Sequence, residues 1–514
     1  VNRIASLILI ALTTVAAAVA AGSYPGSAAA FWSFHAACGV FIFLTSLPPY
    51  RYGVLALATF FTLGFWVKLI THLMTGVRLI EPIGVFDGSA ERWDTAVWLI
   101  ASAFAGASVA RGIDVWWWHG TLRPEIRRLP ALFVNHRRTV WAVTVIVTAG
   151  IMVWNLFGAF AMIGVDLRTH LPLRLHIPIA FWLLFGCSAW FALLLTWERA
   201  LRGTLDASWL LIVVAEALPA SITILSRSVY LFRIFPYLLL QVTRPDVIRR
   251  PSLPRAAAGA LVLAAGLVLS VGASVYTRAW VYPPAIMPPQ VTTVAGTPGK
   301  AGARAGERPG RQDDKRGEPG KAAATDPRVL YDPGKLTSEE RRERSLRSQR
   351  RQIPQLIVGR WVGLEGVLAT TSDAGRGERL FREMLAEHPA HGVDSVYQRV
   401  ARATYAKQSG FTFLTLAGVI GILASSGSPL VMALGLLCVI AALTMLDELA
   451  LRMTGSPLVA ASVGVNAGNI VAQMTFPYNS AVLYGEMVVM LILFGILVRV
   501  LPAYVSGRDA AVPR

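Results

Sequence analysis

Apolar runs long enough to cross a lipid bilayer recur along almost the whole chain, and little else that a chain of this kind could fold into tolerates them. A hydrocarbon core demands about 20 apolar residues per helical crossing. Such runs cover Ile4–Gly22, Ala28–Leu47, Val54–Met74, Thr95–Ala110, Val140–Ile163, Ile177–Thr196, Ser208–Leu225 and Ala256–Val275, then Phe411–Ser425, Leu430–Leu446, Leu458–Met474 and Val482–Leu501. Val229–Gln241 is a marginal addition. Only 15% of the 514 residues are charged while 54% are hydrophobic, and the mean hydropathy is +0.53. A soluble domain carries nearer a quarter charged residues. The expected fold is an all-α polytopic integral membrane protein of roughly 12–13 transmembrane helices. Small residues at Ala16-Ala17-Ala18 resemble a signal-peptide cleavage region, yet a retained first helix fits better because further spans follow at once.

The formal charge of +18 would point to nucleic acid in a soluble protein. Here arginines cluster between spans: Arg51, then Arg111 to Arg138, then Arg199 and Arg202, then Arg244 to Arg255. Such loops belong in the cytoplasm against anionic lipid, so membrane lipid is the expected partner and nucleic acid is not. Val77–Asp94 and Asp166–His176 then fall outside. Trp116-Trp117-Trp118 reads as an interfacial anchor. Cys38, Cys187 and Cys438 lie inside apolar runs without metal spacing, and read as small buried hydrophobes.

One long loop divides the chain. Residues 1–276 form an N-terminal transmembrane bundle and 277–352 a basic linker. Residues 353–410 form a helical segment and 411–514 the last transmembrane helices. From Pro283 to about Arg351 the composition predicts disorder. Beyond it, Leu356, Ile357, Trp361, Val362, Leu364 and Val367, then Leu380, Phe381, Met384 and Leu385, recur at helical spacing and predict two amphipathic helices over the membrane surface. The side of the membrane on which this loop lies depends on whether Val229–Gln241 crosses.

No phosphate-binding loop, nucleophile elbow, zinc-protease or C-x-x-C motif occurs. Candidate chemistry therefore rests on polar residues where lipid disfavours them. The densest group is Lys68, His72, Arg78, Glu81, Asp87, Glu91, Trp93 and Asp94, in which Lys68 and His72 share a helix face. A second is Ser226-Arg227-Ser228 with Tyr230 and Arg233, where a guanidinium fork suits phosphate oxygens. A third is Arg360 and Trp361 with Glu365. Arg168, His170, Arg174 and His176 offer further cations. Glu216 lies mid-span and requires a partner or a cavity. Asp447, Glu448 and Arg452 form a local charge cluster. Each has a plain alternative in snorkelling, solvation or local pairing.

Two stretches resemble bacterial O-antigen (oligosaccharide repeat-unit) polymerases, which are related to O-antigen ligases. One is Gly64-Phe65-Trp66-Val67-Lys68, continuing through Glu81-Pro82 to Phe86-Asp87-Gly88. The other is Arg360-Trp361-Val362-Gly363-Leu364-Glu365-Gly366. The resemblance implies a multi-pass protein of the bacterial inner membrane that transfers glycan between polyprenyl-pyrophosphate carriers, among other polysaccharide assembly proteins. It implies no cofactor and no metal. On that reading His72, Glu81 and Asp87 are base candidates, while Arg227 and Arg360 meet pyrophosphate. Lys68, Arg78, Trp361 and Glu365 complete the binding group. The rival is a transporter or flippase using Glu216, Arg227 and Asn469. A glycosyltransferase using a polyprenyl-phosphate sugar and a structural export subunit are further readings. The former usually carries an acidic pair in its first external loop, which Gly22–Ser27 lacks.

Overall fold

A computed structural model describes residues 2–76, 79, 81–117, 129–165, 167–169, 171–203, 205, 209–248, 252–281, 361–388, 393–403, 416–500 and 503–504. The linker expected from Pro283 to Arg351 lies outside them, as do Arg78, His170 and Arg360. The protein is an all-α, multi-pass membrane protein. The helices are α1 (Asn2–Ala21), α2 (Ala28–Thr45), α3 (Tyr52–Thr75), α4 (Ala90–Trp117), α5 (Arg137–Gly158), α6 (His176–Arg202), α7 (Trp209–Thr223), α8 (Arg227–Thr243) and α9 (Leu253–Val281). After the long loop come α10 (Leu364–Ser372), α11 (Glu378–Ala386), α12 (Val396–Ala401), α13 (Gly418–Ala424), α14 (Pro429–Thr454), α15 (Pro457–Ala472) and α16 (Pro477–Val500). Among the described residues, 8 helices are long and apolar enough to cross a membrane, and Ile10–Ala21, α7 and α15 are shorter apolar helices. The only paired strands described are Leu129–Pro130 and Ala503–Tyr504, antiparallel.

The helices share two ends, which their side chains define. At one, Arg51 joins Asp114 at 3.0 Å and Glu448 at 2.8 Å, fastening the α2–α3 turn to the ends of α4 and α14. Arg137 pairs there with Glu198, and Arg199 donates to the Asp246 carbonyl at 3.0 Å. This is the basic end. At the far end, Tyr24 donates to Asp94 at 3.1 Å, Ile163 N–H to the Ile224 carbonyl at 3.0 Å, and Arg278 to the Leu225 carbonyl at 2.9 Å. Every arginine cluster from the sequence that is described, Arg51, Arg111, Arg137–Arg138, Arg199–Arg202 and Arg244, falls at the basic end.

The marginal run becomes α8, whose 17 residues reach about 25 Å at 1.5 Å per residue. It starts at the Ile224–Leu225 turn of the far end and finishes beside Arg244 at the basic end, so α9 returns to the far end. The long loop therefore leaves from the face opposite the arginines.

The helices after that loop differ from expectation. α11 is amphipathic, burying Leu380 and Met384 and exposing its charges. α10, by contrast, has all nine residues buried. Its hydroxyls make this possible by bonding back within the helix: Thr370 to the Gly366 carbonyl at 3.0 Å, Thr371 to Val367 at 2.7 Å, and Ser372 to Ala369 at 3.0 Å. Satisfied in this way, a polar-looking face needs no water. α13 is likewise buried throughout, and it packs beside α10. The expected span Phe411–Ser425 is described from residue 416 onward, where its helix is the seven residues of α13.

Candidate functional site

α3 is interrupted by a π-turn over Thr62–Val67. The Lys68 amide bonds to the Leu63 carbonyl five residues back, so the Gly64 carbonyl loses its usual α-helical donor. π-turns mark functional positions more often than regular helix does. This one makes room for a backbone crossing. A Cβ on Gly64 would lie 2.2 Å from the Val362 carbonyl oxygen, and one on Gly363 would lie 2.5 Å from that of Gly64. Glycine is therefore required on both sides for the start of α10 to reach α3.

Lys68 leaves α3 just past this crossing and closes it. Its Nζ lies 2.8 and 2.7 Å from the two Glu365 oxygens and also donates to the Trp361 carbonyl. Both side chains are 3% exposed. The ammonium thus satisfies its three donors on two carboxylate oxygens and one carbonyl, which is what a buried ion pair needs if attraction is to offset desolvation. Trp361 packs on Phe60 at 6.0 Å, and Phe60 in turn meets Phe232 of α8 at 5.4 Å.

The Glu81–Asp87 loop lies against α10 and α12. Gly84, at a φ of +66°, donates to the Ala401 carbonyl at 3.2 Å, and a Cβ there would meet the Val400 carbonyl oxygen at 2.7 Å. Glu81 is half-buried, near enough to Glu365 for their charges to interact. His72, one turn beyond Lys68, lies 5.8 Å from Trp93 in a tilted stack. Asp87 is exposed, accepts from Ser89 N–H at 2.9 Å and pairs with Arg92 at 3.5 Å. The Ser89 bonds, with Arg92 behind them, hold its carboxyl below the usual range.

Of the residues singled out from sequence, the structure joins Lys68, Trp361 and Glu365, sets Glu81 within charge range of Glu365, and leaves His72 on Trp93 and Asp87 exposed with Arg92. Arg227 is the first residue of α8, a helix that packs against α7, α9 and α15. Arg78 and Arg360 lie outside the described residues.

Sequence reasoning named Glu216 and Arg233 separately but missed that they meet, and it passed over His35. Arg233 pairs with Glu216 and donates to the Leu183 carbonyl, while Cys187 donates to Glu216 at 3.2 Å. Trp66 donates to His35 Nδ1 at 2.8 Å, which sets the ring proton on Nε2 facing Thr14 Oγ1 at 3.0 Å. The cluster expected at Asp447, Glu448 and Arg452 holds its local pair, Glu448–Arg452 at 2.8 Å. It also reaches across the bundle, with Asp447 accepting from Gly53 N–H at 3.0 Å and Glu448 meeting Arg51. Cys38 and Cys187 are buried thiols, whereas Cys438 is exposed on α14.

Comparison with protein-family models, with curated proteins and with solved structures finds no match to this chain.

Proposed function

We propose that the protein is a glycosyl-transfer enzyme of the bacterial cytoplasmic membrane that joins oligosaccharide repeat units carried on polyprenyl pyrophosphate. The observation that carries this reading is the Lys68–Glu365 pair. It pins a wholly buried half-length helix beneath a polar loop, at the end opposite the arginine-rich loops. Arginine-rich loops stay in the cytoplasm, so this end would face outward, where surface glycan is assembled. Non-helical backbone at membrane depth survives where protein covers it or where it lines a cavity. The crossing of Gly64 and Gly363 is backbone of that kind.

In this reaction the acceptor hydroxyl oxygen bonds to the anomeric carbon as the carbon–oxygen bond to pyrophosphate breaks. The hydroxyl proton passes to a base, and polyprenyl pyrophosphate leaves with the electron pair. His72 and Glu81 are the base candidates closest to the pinned helix, with Asp87 further along the Glu81 loop. Arg227 and Arg360 would supply guanidinium charge to the leaving group. Lys68 and Glu365 neutralise each other inside the protein, which suits them to positioning the start of α10.

The test is to delete the gene and analyse the lipid-linked glycan. Accumulation of single repeat units on the carrier, with loss of polymer, is the expected result. Polymer of normal length would overturn the reading. Unelongated units trapped on the cytoplasmic face would favour a flippase, for which the buried Glu216–Arg233 pair is the best support.

A further inference from the structure

α5 is held to the bundle in an unusual way. Its buried residues are Thr144, Thr148, Met152, Asn155 and Gly158, so Met152 is the one large apolar side chain it buries. Polar rungs replace apolar packing, about one per turn. Trp141 donates to Glu198 at 2.8 Å, Trp190 donates to Thr144 at 3.1 Å, Thr148 meets Cys187 at 3.8 Å, and Asn155 donates to the Thr223 carbonyl at 2.8 Å. The opposite face, with Val143, Ile146, Val147, Trp154 and Phe157, is exposed, as a lipid-facing side should be. Hydrogen bonds between membrane helices average about 0.6 kcal/mol each, so the seam from Thr144 to Asn155, beyond the Arg137–Glu198 pair that anchors its basic end, can open at small cost.

Behind the middle rung stands the Arg233 group. α6 carries a second π-turn, Trp182–Gly186, in which Cys187 N–H bonds to the Trp182 carbonyl and so releases that of Leu183. Arg233 donates to that carbonyl and pairs with Glu216, yet its Nε has no hydrogen-bond partner among the described residues. A buried guanidinium with a donor to spare and one exchangeable carboxylate is suited to an arriving phosphate. From Arg233 the path to the pinned helix is short: its neighbour Phe232 stacks on Phe60, and Phe60 on Trp361.

Given a lipid-linked substrate, as in the function proposed above, we infer that the seam between α5 and α6–α7 is its lateral access route, with Arg233 receiving the phosphate in exchange for Glu216. The isoprenoid tail stays in lipid along the outer face of α5 while the charged head passes between the rungs. No bond is made or broken at this step.

The probe is a polyprenyl phosphate bearing a diazirine next to its head, in phosphatidylcholine vesicles containing the purified protein. Photolabel is expected on peptides around Thr148 and Cys187. Glu216→Gln removes the competing carboxylate and should raise labelling roughly tenfold. The double variant Glu216→Gln with Arg233→Gln keeps the site uncharged and should return it to background. Its monodisperse elution would show that it folds. Excess inorganic pyrophosphate in the water should leave labelling unchanged. A second arm places Thr148→Cys in a Cys38→Ala, Cys438→Ala background and tethers it to Cys187 with dibromobimane, which should abolish labelling. Undiminished labelling in the double variant or after tethering overturns the inference. So do competition by pyrophosphate, label scattered over all lipid-facing helices, or failure of the reagent to join the two thiols. Labelling needs no turnover. A protein that takes up label by this route but elongates no glycan would keep the route and lose the glycosyl-transfer reading.

Discussion

Lys68 and Glu365 stand 297 residues apart in the chain and meet at 2.7 Å, each almost wholly removed from solvent. Removing either partner strands a charge where neither water nor lipid headgroups can reach it.

Lys68→Met or Glu365→Leu alone should therefore lower stability by about 3–5 kcal/mol. Together they leave no charge behind and should come within about 1–2 kcal/mol of the parent, because apolar replacement of a buried pair is often neutral. Thermal unfolding in detergent reads the difference. Additive losses in the double variant would mean that the pair does not act as a unit.

The backbone crossing makes a steric prediction. Gly64→Ala would drive a methyl group into the Val362 carbonyl and should cost about 1–3 kcal/mol, the usual penalty for overfilling a packed contact. Gly112→Ala, which meets nothing within 4 Å on the helix α4, should be neutral or gain up to about 1 kcal/mol. Limited trypsin digestion after Arg376 and Arg379 should accelerate in the first variant alone. Equal digestion in both would show that α10 does not depend on the crossing.

Orientation can be read with single cysteines in a background lacking Cys38, Cys187 and Cys438. Ala374→Cys, on the exposed turn after α10, should react with an impermeant maleimide in intact spheroplasts. Arg255→Cys, in the exposed first turn of α9, should react only after lysis. The reverse pattern would invert the protein and remove the external site.

Glu387 carries a pH signature. Burial raises its carboxyl above the ordinary value, although Val396 N–H, at 2.7 Å, pulls the other way. A raised acid favours the folded state fully below its unfolded value of about 4.3, and that contribution is lost as pH rises through the folded value. Glu387→Gln keeps an acceptor for Val396 without a charge. The variant should match the parent near pH 4 and exceed it at neutral pH by no more than about 1 kcal/mol. Parallel melting curves across that range would place the carboxyl in free solvent.

Hydropathy and arginine distribution were enough to read most of the spans and the basic end, because lipid constrains both strongly, whereas the side from which the long loop departs stayed open until α8 was seen to run from one end to the other. Partners were harder to read. Glu365 was grouped with Arg360 and Trp361 without a partner for its charge, since nothing local in the chain points to Lys68. α10 passed for a surface helix because its threonines count as polar until their bonds to preceding carbonyls are known. The Glu216–Arg233 pair was within reach. Glu216 lies about two turns before the end of α7, and Arg233 about two turns after the start of α8. A hairpin puts residues so placed at the same depth, and an unpaired charge there is costly. Depth matching of charges across a predicted hairpin would have found it.

α15 packs against α3, α6, α8 and α14, and every residue from Pro457 to Gly468 is buried. The helix at the middle of the bundle is thus made after all four of these neighbours. Until it arrives, the nine helices of the first half wait in the bilayer around a gap that lipid or quality-control proteases can reach. Assembly of this bundle should proceed from the rim inward, with α3, α6, α8 and α14 becoming protease-resistant together once α15 inserts.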